Sequence, residues 1–179
     1  MLFSKSLFRI PNFSALKGCS MYNVLFVCSQ NICRSPYCEY LFRRMVEETP
    51  ELKGKVEVKS SAVMTPWDKL DPKTREALLR EGFDADYLDA HKPGYIWRKY
   101  DRKLFREADV IICMTKSHYM WVPHCWQKKM VTLSEAAEGV YKPVPDPWLI
   151  KDIEKYIGEM NIIKGYLEEY RDRLVEELK

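Results

Sequence analysis

The sequence lacks any apolar run of the ~18–20 residues needed to span a bilayer as a helix, so no membrane association is expected. It lacks a basic surplus as well. Lys5, Arg9 and Lys17 account for the whole net charge of +3, because residues 1–20 contain no Asp or Glu. Residues 21–179 carry 26 basic and 26 acidic side chains. A nucleic-acid binder needs an electropositive footprint, so nucleic acid is not an expected partner. Cysteine is too sparse for a disulfide scaffold, at six in 179 residues. The clustering of those cysteines points to reduced, working thiols and a cytoplasmic setting. No repeat, low-complexity tract or long linker interrupts the chain. What is present, 46% apolar and 31% charged residues, suffices for a buried core and excludes a disordered chain. The length fits one domain, and a monomer is the expected state.

Residues 1–20 differ in composition from the rest. They hold three basic residues, no acids, Pro11 and Gly18. Three readings compete: a flexible extension, an organelle-targeting peptide, or an upstream start with Met21 as the natural first residue. The expectation is a disposable extension followed by one domain over residues 21–179.

Four short apolar runs read as strands. They are Val24–Val27, Val56–Ser60 with edge-like alternation, Asp109–Met114 and Met130–Leu133. Helical spacing appears over residues 36–48, 72–81, 101–107 and about 116–121. Residues 152–178 carry the stripe Ile153, Ile157, Met160, Ile163, Leu167, Tyr170, Leu174 and Leu178, expected to face the core. Strands alternating with helices predict an α/β domain. Its parallel sheet would have helices on both faces and a site at the carboxyl ends of the strands.

The chemistry concentrates in Cys28-Ser29-Gln30-Asn31-Ile32-Cys33-Arg34-Ser35-Pro36, between the first strand and the first helix. A tight loop before a helix turns successive backbone N–H groups inward as an anion nest, and the helix start adds positive dipole charge. Arg34 offers a planar fork for two oxygens of a tetrahedral anion. The same field favours the thiolate of Cys28, the form that attacks phosphorus. Ser35 fits either as helix N-cap or as a hydroxyl donor to the Cys28 sulfur, with Pro36 in the first turn. Asn31 suits a position with φ > 0 and could anchor the loop through its side chain. A metal or other cofactor is not expected. Cys28 and Cys33 have a weak zinc spacing with no second pair, and His118, His124 and Cys125 are irregularly spaced.

Expelling a phenolate near neutral pH requires an acid. The candidate is Asp146 in Val144-Pro145-Asp146-Pro147-Trp148, held extended between two prolines after the fourth strand. It would give a proton in the first step and take one from water in the second.

Together these two stretches resemble the low-molecular-weight protein tyrosine phosphatases, whose loop reads C-x-G-N-I-C-R-S-P and whose acid sits in a D-P-aromatic motif. The resemblance runs over about residues 22–179. It implies a four-stranded parallel sheet and two-step, metal-free hydrolysis through a phosphocysteine on Cys28. Arg34 would bind phosphate, Asp146 would serve as acid and base, and Ser35 would assist the thiolate. It further implies loop support from Asn31, Ser61 and His91, and a reversible Cys28–Cys33 disulfide. Gln30 departs from the family's glycine, so a positive φ there would strain the loop. Trp148 and Leu149 replace the Tyr-Tyr pair of some relatives, removing phosphorylation control there. Trp148 is expected to flank the substrate ring, with Trp67 as the opposite wall.

Ile32 offers apolar contact where related arginine phosphatases carry Thr, which favours phosphotyrosine over phosphoarginine. Expected substrates are therefore phosphotyrosine proteins or aryl phosphates. A protein arginine phosphatase and a thiol-linked arsenate reductase are the enzymatic alternatives. The reductase would need a cysteine relay that Cys113 and Cys125 do not resemble. A non-catalytic phosphate binder would need neither thiolate nor acid. A phosphocysteine carrier would need no Asp146. Cys19, Cys38, Cys113 and Cys125 carry no assigned role.

Overall fold

The computed structural model describes residues 11 and 21–179. The expectations for the rest of residues 1–20, Cys19 included, lie outside the described residues. Four parallel strands form one sheet: β1 Tyr22–Cys28, β2 Val56–Ala62, β3 Val110–Cys113 and β4 Met130–Thr132. Their spatial order is β2-β1-β3-β4. The chain winds outward from β1 to β2, then crosses back to β3 on the other side. The carboxyl ends of β1 and β3 therefore flank a topological switch point, where open α/β sheets place ligands.

β1 is apolar along almost its whole length because both of its faces are covered. β2 alternates buried Val56 and Val58 with exposed Glu57 and Lys59, as an edge strand does. Helix α1, Arg34–Glu48, follows β1 and packs on one face with α2 (Pro72–Arg80) and α7 (Ile153–Leu178). Phe42 of α1 stacks on Tyr170 of α7 and meets Phe26 of β1 edge-on, with ring centroids 5.1 and 5.7 Å apart. The predicted stripe of α7 is the buried one at Met160, Ile163, Leu167, Tyr170 and Leu174. Ile153, Ile157 and Leu178 are partly buried at its margin, and Tyr156 joins it. The opposite face of the sheet holds a smaller cluster around Leu25, Val27, Ile111 and Phe105. Phe105 comes from α4 (Arg102–Glu107).

Three short helices are additional to the periodicity reading: α3 Ala85–Asp89, α5 His124–Gln127 and α6 Leu133–Glu138. Each spans little more than one helical turn. Local chemistry still marks α6, where Thr132 and Glu135 form a capping box and Gly139 closes the end at φ 78°. The stretch Lys116–Trp121 is a 3-10 helix, and Asp146 caps a second one over Pro147–Leu149.

Candidate active site

Five residues, Ser29–Cys33, turn the chain from the end of β1 into α1. Two of their carbonyls, and that of Cys28, accept backbone N–H groups from segments elsewhere in the chain. The N–H groups of Val63, Met64 and Asp71 donate to the carbonyls of Cys28, Ser29 and Ile32 at 3.1, 2.8 and 3.1 Å. Among the described residues, none of the five loop N–H groups donates to a backbone carbonyl. Amides without backbone acceptors beside the Cys28 cavity are what an anion nest requires. The loop opens on a cavity of about 140 Å³ lined by Cys28, Ser29, Arg34, Asp146 and Trp148 among others. Asn31 takes φ 57°, the one described non-glycine residue at positive φ. Gln30 is not in the left-handed region, so the strain expected from replacing glycine there does not arise.

Asn31 organises the nucleophile. Its Oδ1 accepts from the Gly94 N–H at 2.8 Å, which fixes which end of the amide donates. Nδ2 then donates to Ser35 Oγ at 2.9 Å and to Ser60 Oγ at 2.8 Å. Ser35 Oγ lies 3.0 Å from Cys28 Sγ. With its oxygen accepting from Asn31, the Ser35 hydroxyl directs its proton at the sulfur. Of the two sequence readings of Ser35, N-cap and sulfur partner, the geometry fits the second. α1 begins at Arg34, and its N-cap position, Cys33, makes no side-chain cap.

The support differs from expectation at one position. Ser60, not Ser61, bonds Asn31, and Ser60 donates onward to Glu39 of α1 at 2.5 Å. Successive strand residues point to opposite faces. Ser60 shares a face with Val56 and Val58, which pack in the cluster under α1. The Ser61 hydroxyl is buried without a partner among the described residues, against Gly94, where an added Cβ would meet it at 3.0 Å. His91 Nε2 donates to the Asn31 carbonyl at 3.2 Å, while its Nδ1 faces Tyr40 Oη at 3.4 Å. Burial lowers the His91 pKa below that of free imidazole, with the Asn31 bond opposing.

Arg34 is 5% exposed, and its Nη2 bonds Asp146 Oδ2 at 2.5 Å across the cavity. Its Nε–H is buried with no acceptor among the described residues. The other Asp146 oxygen accepts from the Trp148 N–H at 3.1 Å. Lys73 of α2, which the sequence does not single out, donates to the carbonyls of Trp148 and Ile150 at 2.9 and 2.8 Å.

Trp67 and Trp148 do not face each other across a slot. Their ring centroids are 5.0 Å apart in an edge-to-face contact, which leaves no room for a third ring. Trp148 lines the Cys28 cavity, and Trp67 lines an adjoining space of about 560 Å³ with Ile32, Pro66 and Asp71.

Cys33 is a protonated neighbour of Cys28. Burial, with the Asp71 charge second, pushes its thiol up to about 12. Burial raises Cys38 well above a free thiol. His118, which entered the sequence reading only as a poor metal ligand, sits 3.3 Å from Ser29 Oγ. Its place just past β3, at the switch point, is the signal that marks it. Among the described residues no cluster of His, Cys, Asp and Glu could hold a metal ion.

A family model described as low molecular weight phosphotyrosine protein phosphatase matches residues 23–179. The chain is 32% identical over 133 residues to a low molecular weight phosphotyrosine protein phosphatase of Schizosaccharomyces pombe, covering 70% of this chain and 80% of that protein. It is 27% identical over 164 residues to a protein-arginine-phosphatase of Bacillus subtilis, covering 88% and 97%. The solution structure of a low molecular weight protein tyrosine phosphatase from Bacillus subtilis superposes with TM-score 0.71 at 26% identity, covering 88% of this chain and 99% of that one. With a Cys-x5-Arg nest and a facing aspartate at the switch point of a parallel sheet, and with this match over nearly all its length, the chain belongs to the low molecular weight phosphotyrosine protein phosphatase family.

Proposed function

We propose that the protein hydrolyses phosphotyrosine in two steps through a phosphocysteine on Cys28. In the first step the Cys28 thiolate attacks phosphorus. The S–P bond forms, the P–O bond to the phenol breaks, and Asp146 gives a proton to the departing oxygen. In the second step Asp146 takes a proton from water as the water oxygen bonds phosphorus. The S–P bond breaks, and the thiolate leaves under the Ser35 hydroxyl. A phosphate dianion draws the Arg34 fork off Asp146 and supplies the acceptor that the buried Nε–H lacks. The loop amides carry the equatorial oxygens, so nucleophile and charge stabilisation come from this chain's own groups. Asn31, Ser60 and His91 brace the loop.

The observation that carries the reading is the Cys28–Ser35 contact at 3.0 Å beside five free amides, with Arg34 and Asp146 facing them. Turnover of p-nitrophenyl phosphate in the presence of EDTA tests it. Cys28→Ser and Arg34→Ala should abolish turnover, and Asp146→Asn should slow it by roughly 10²–10⁴-fold. Full activity in the Asp146 variant would mean another group is the acid.

Substrate choice follows from the walls. Trp148 presents apolar surface to an aromatic ring, and the buried Ile32 lines the cavity beneath without a polar group. The similarity to an arginine phosphatase over 97% of that protein's length makes phosphoarginine the second reading. Side-by-side turnover of phosphotyrosine, phosphoarginine and phosphoserine peptides decides between them, and phosphotyrosine should be fastest. An arsenate relay gains no support, because Cys113 is fully buried inside β3. The raised Cys33 thiol gives a protective Cys28–Cys33 disulfide no support, because a resolving cysteine attacks as the thiolate. Such a thiol pair fits a reducing, cytoplasmic location.

A further inference from the structure

The fold brings a second segment to the pocket that the two chemical steps leave unused. β3 ends at Cys113 beside β1, and the 3-10 helix that follows carries His118, a side chain only 3% exposed. His118 Nδ1 accepts the Thr115 backbone N–H at 3.3 Å. An amide N–H can only donate, so Nδ1 carries no proton, and the neutral ring bears its proton on Nε2. Nε2 lies 3.3 Å from Ser29 Oγ. The ring therefore donates and the serine oxygen accepts. Burial, with the Arg34 guanidinium second, pushes the imidazole down to about 4, so it stays neutral near physiological pH. The Ser29 hydroxyl proton is left to point away from the ring, and Ser29 lines the cavity over Cys28.

We infer that Ser29 is an oxyanion-binding residue whose hydroxyl donates to a phosphoryl oxygen, and that His118 is the positioning residue that turns it there. The two serines near Cys28, Ser29 in the loop and Ser35 in the first turn of α1, are then set by the same logic to opposite tasks. Asn31 occupies the Ser35 oxygen and aims that proton at the sulfur. His118 occupies the Ser29 oxygen and aims that proton at the phosphate. The inference rests on the reading of the cavity as a phosphate pocket, and the test separates the two.

Inorganic phosphate is titrated into the Cys28→Ser protein, which needs no turnover, and is measured as a competitive inhibitor of the enzyme with the native Cys28. Adding Ser29→Ala should weaken phosphate binding by about 10–100-fold, as expected for losing a hydrogen bond to a charged group. Ser29→Thr should restore it. His118→Phe, which keeps ring volume, should weaken binding on the serine background and add nothing to Ser29→Ala. Unchanged affinity in Ser29→Ala while Cys28→Ser still binds phosphate overturns the inference and leaves the pocket standing. So does an equal loss from His118→Phe with and without Ser29. If Cys28→Ser binds no phosphate, the pocket reading falls and this inference falls with it. Should His118→Phe fail to fold, nitrogen chemical shifts of His118 in the unaltered protein decide. The Nε2–H tautomer is expected, and the Nδ1–H tautomer overturns the assignment.

Discussion

Asn31 places three polar atoms where none can be exchanged for another. Oδ1 is held by Gly94, and the two amide hydrogens go to Ser35 and Ser60. The backbone sits at φ 57°, which Asn tolerates better than most side chains. Asn31→Ala should therefore lose stability by roughly 2–4 kcal/mol from unpaired buried groups and a strained φ. It should also lower kcat for aryl phosphates, because Ser35 no longer has its proton directed at Cys28. Denaturant unfolding and steady-state kinetics on one preparation check both effects, and a normal kcat would show that Ser35 needs no orienting. At this scale Cys28, Arg34 and Asp146 were legible from residue type and spacing. Ser60 was not. Which of two adjacent serines faces α1 is decided by strand parity, and the alternation at the end of β2 gives way to a run of buried residues. The contact of His118 with Ser29 was not legible either, because the two lie 89 positions apart.

Among the elements, the start of α2 joins the two halves of the site. The Asp71 N–H holds the Ile32 carbonyl of the phosphate loop at 3.1 Å. Two residues on, Lys73 holds the carbonyls of Trp148 and Ile150, and its ammonium lies 4.9 Å from the ring centre of Tyr156 in α7. Lys73→Met keeps the apolar stem and removes the clamp. The expected result is a larger fall in kcat for phenyl phosphate than for p-nitrophenyl phosphate, since the poorer leaving group depends more on a well-placed Asp146. Equal falls for both would mean that Lys73 does not position the acid. Helical spacing over residues 72–81 makes α2 legible in the sequence, and Asp71 caps it by accepting from the N–H groups of Lys73 and Thr74. The reach of Lys73 to the acid loop depends on how α2 packs beside α7, which no local pattern encodes.

For the whole molecule, the strand order sets function by putting the ends of β1 and β3 side by side. Alternating strand and helix patterns announced the parallel sheet. The order β2-β1-β3-β4 and the short helices come from packing between distant segments. The same packing buries His118, and this links the site to stability. The folded-state pKa is depressed to about 4 from the ordinary 6.5. As pH falls, the unfolded chain takes up the proton first. Stability is thus complete above about 6.5 and declines as pH drops toward 4. Going from about pH 7 to about pH 5 should remove about 2 kcal/mol through this ring. His91, also depressed, acts in the same direction. Denaturation midpoints at the two pH values check the decline, and His118→Phe should flatten it. The central claim, a thiolate held in an amide-lined oxyanion pocket, is tested most directly by alkylation. Iodoacetate is applied at mildly acid pH and the Cys28 peptide is followed by mass, apart from the exposed Cys125. The account predicts that Cys28 reacts much faster than free cysteine and that inorganic phosphate protects it. Alkylation no faster than free cysteine, unaffected by phosphate, would contradict it.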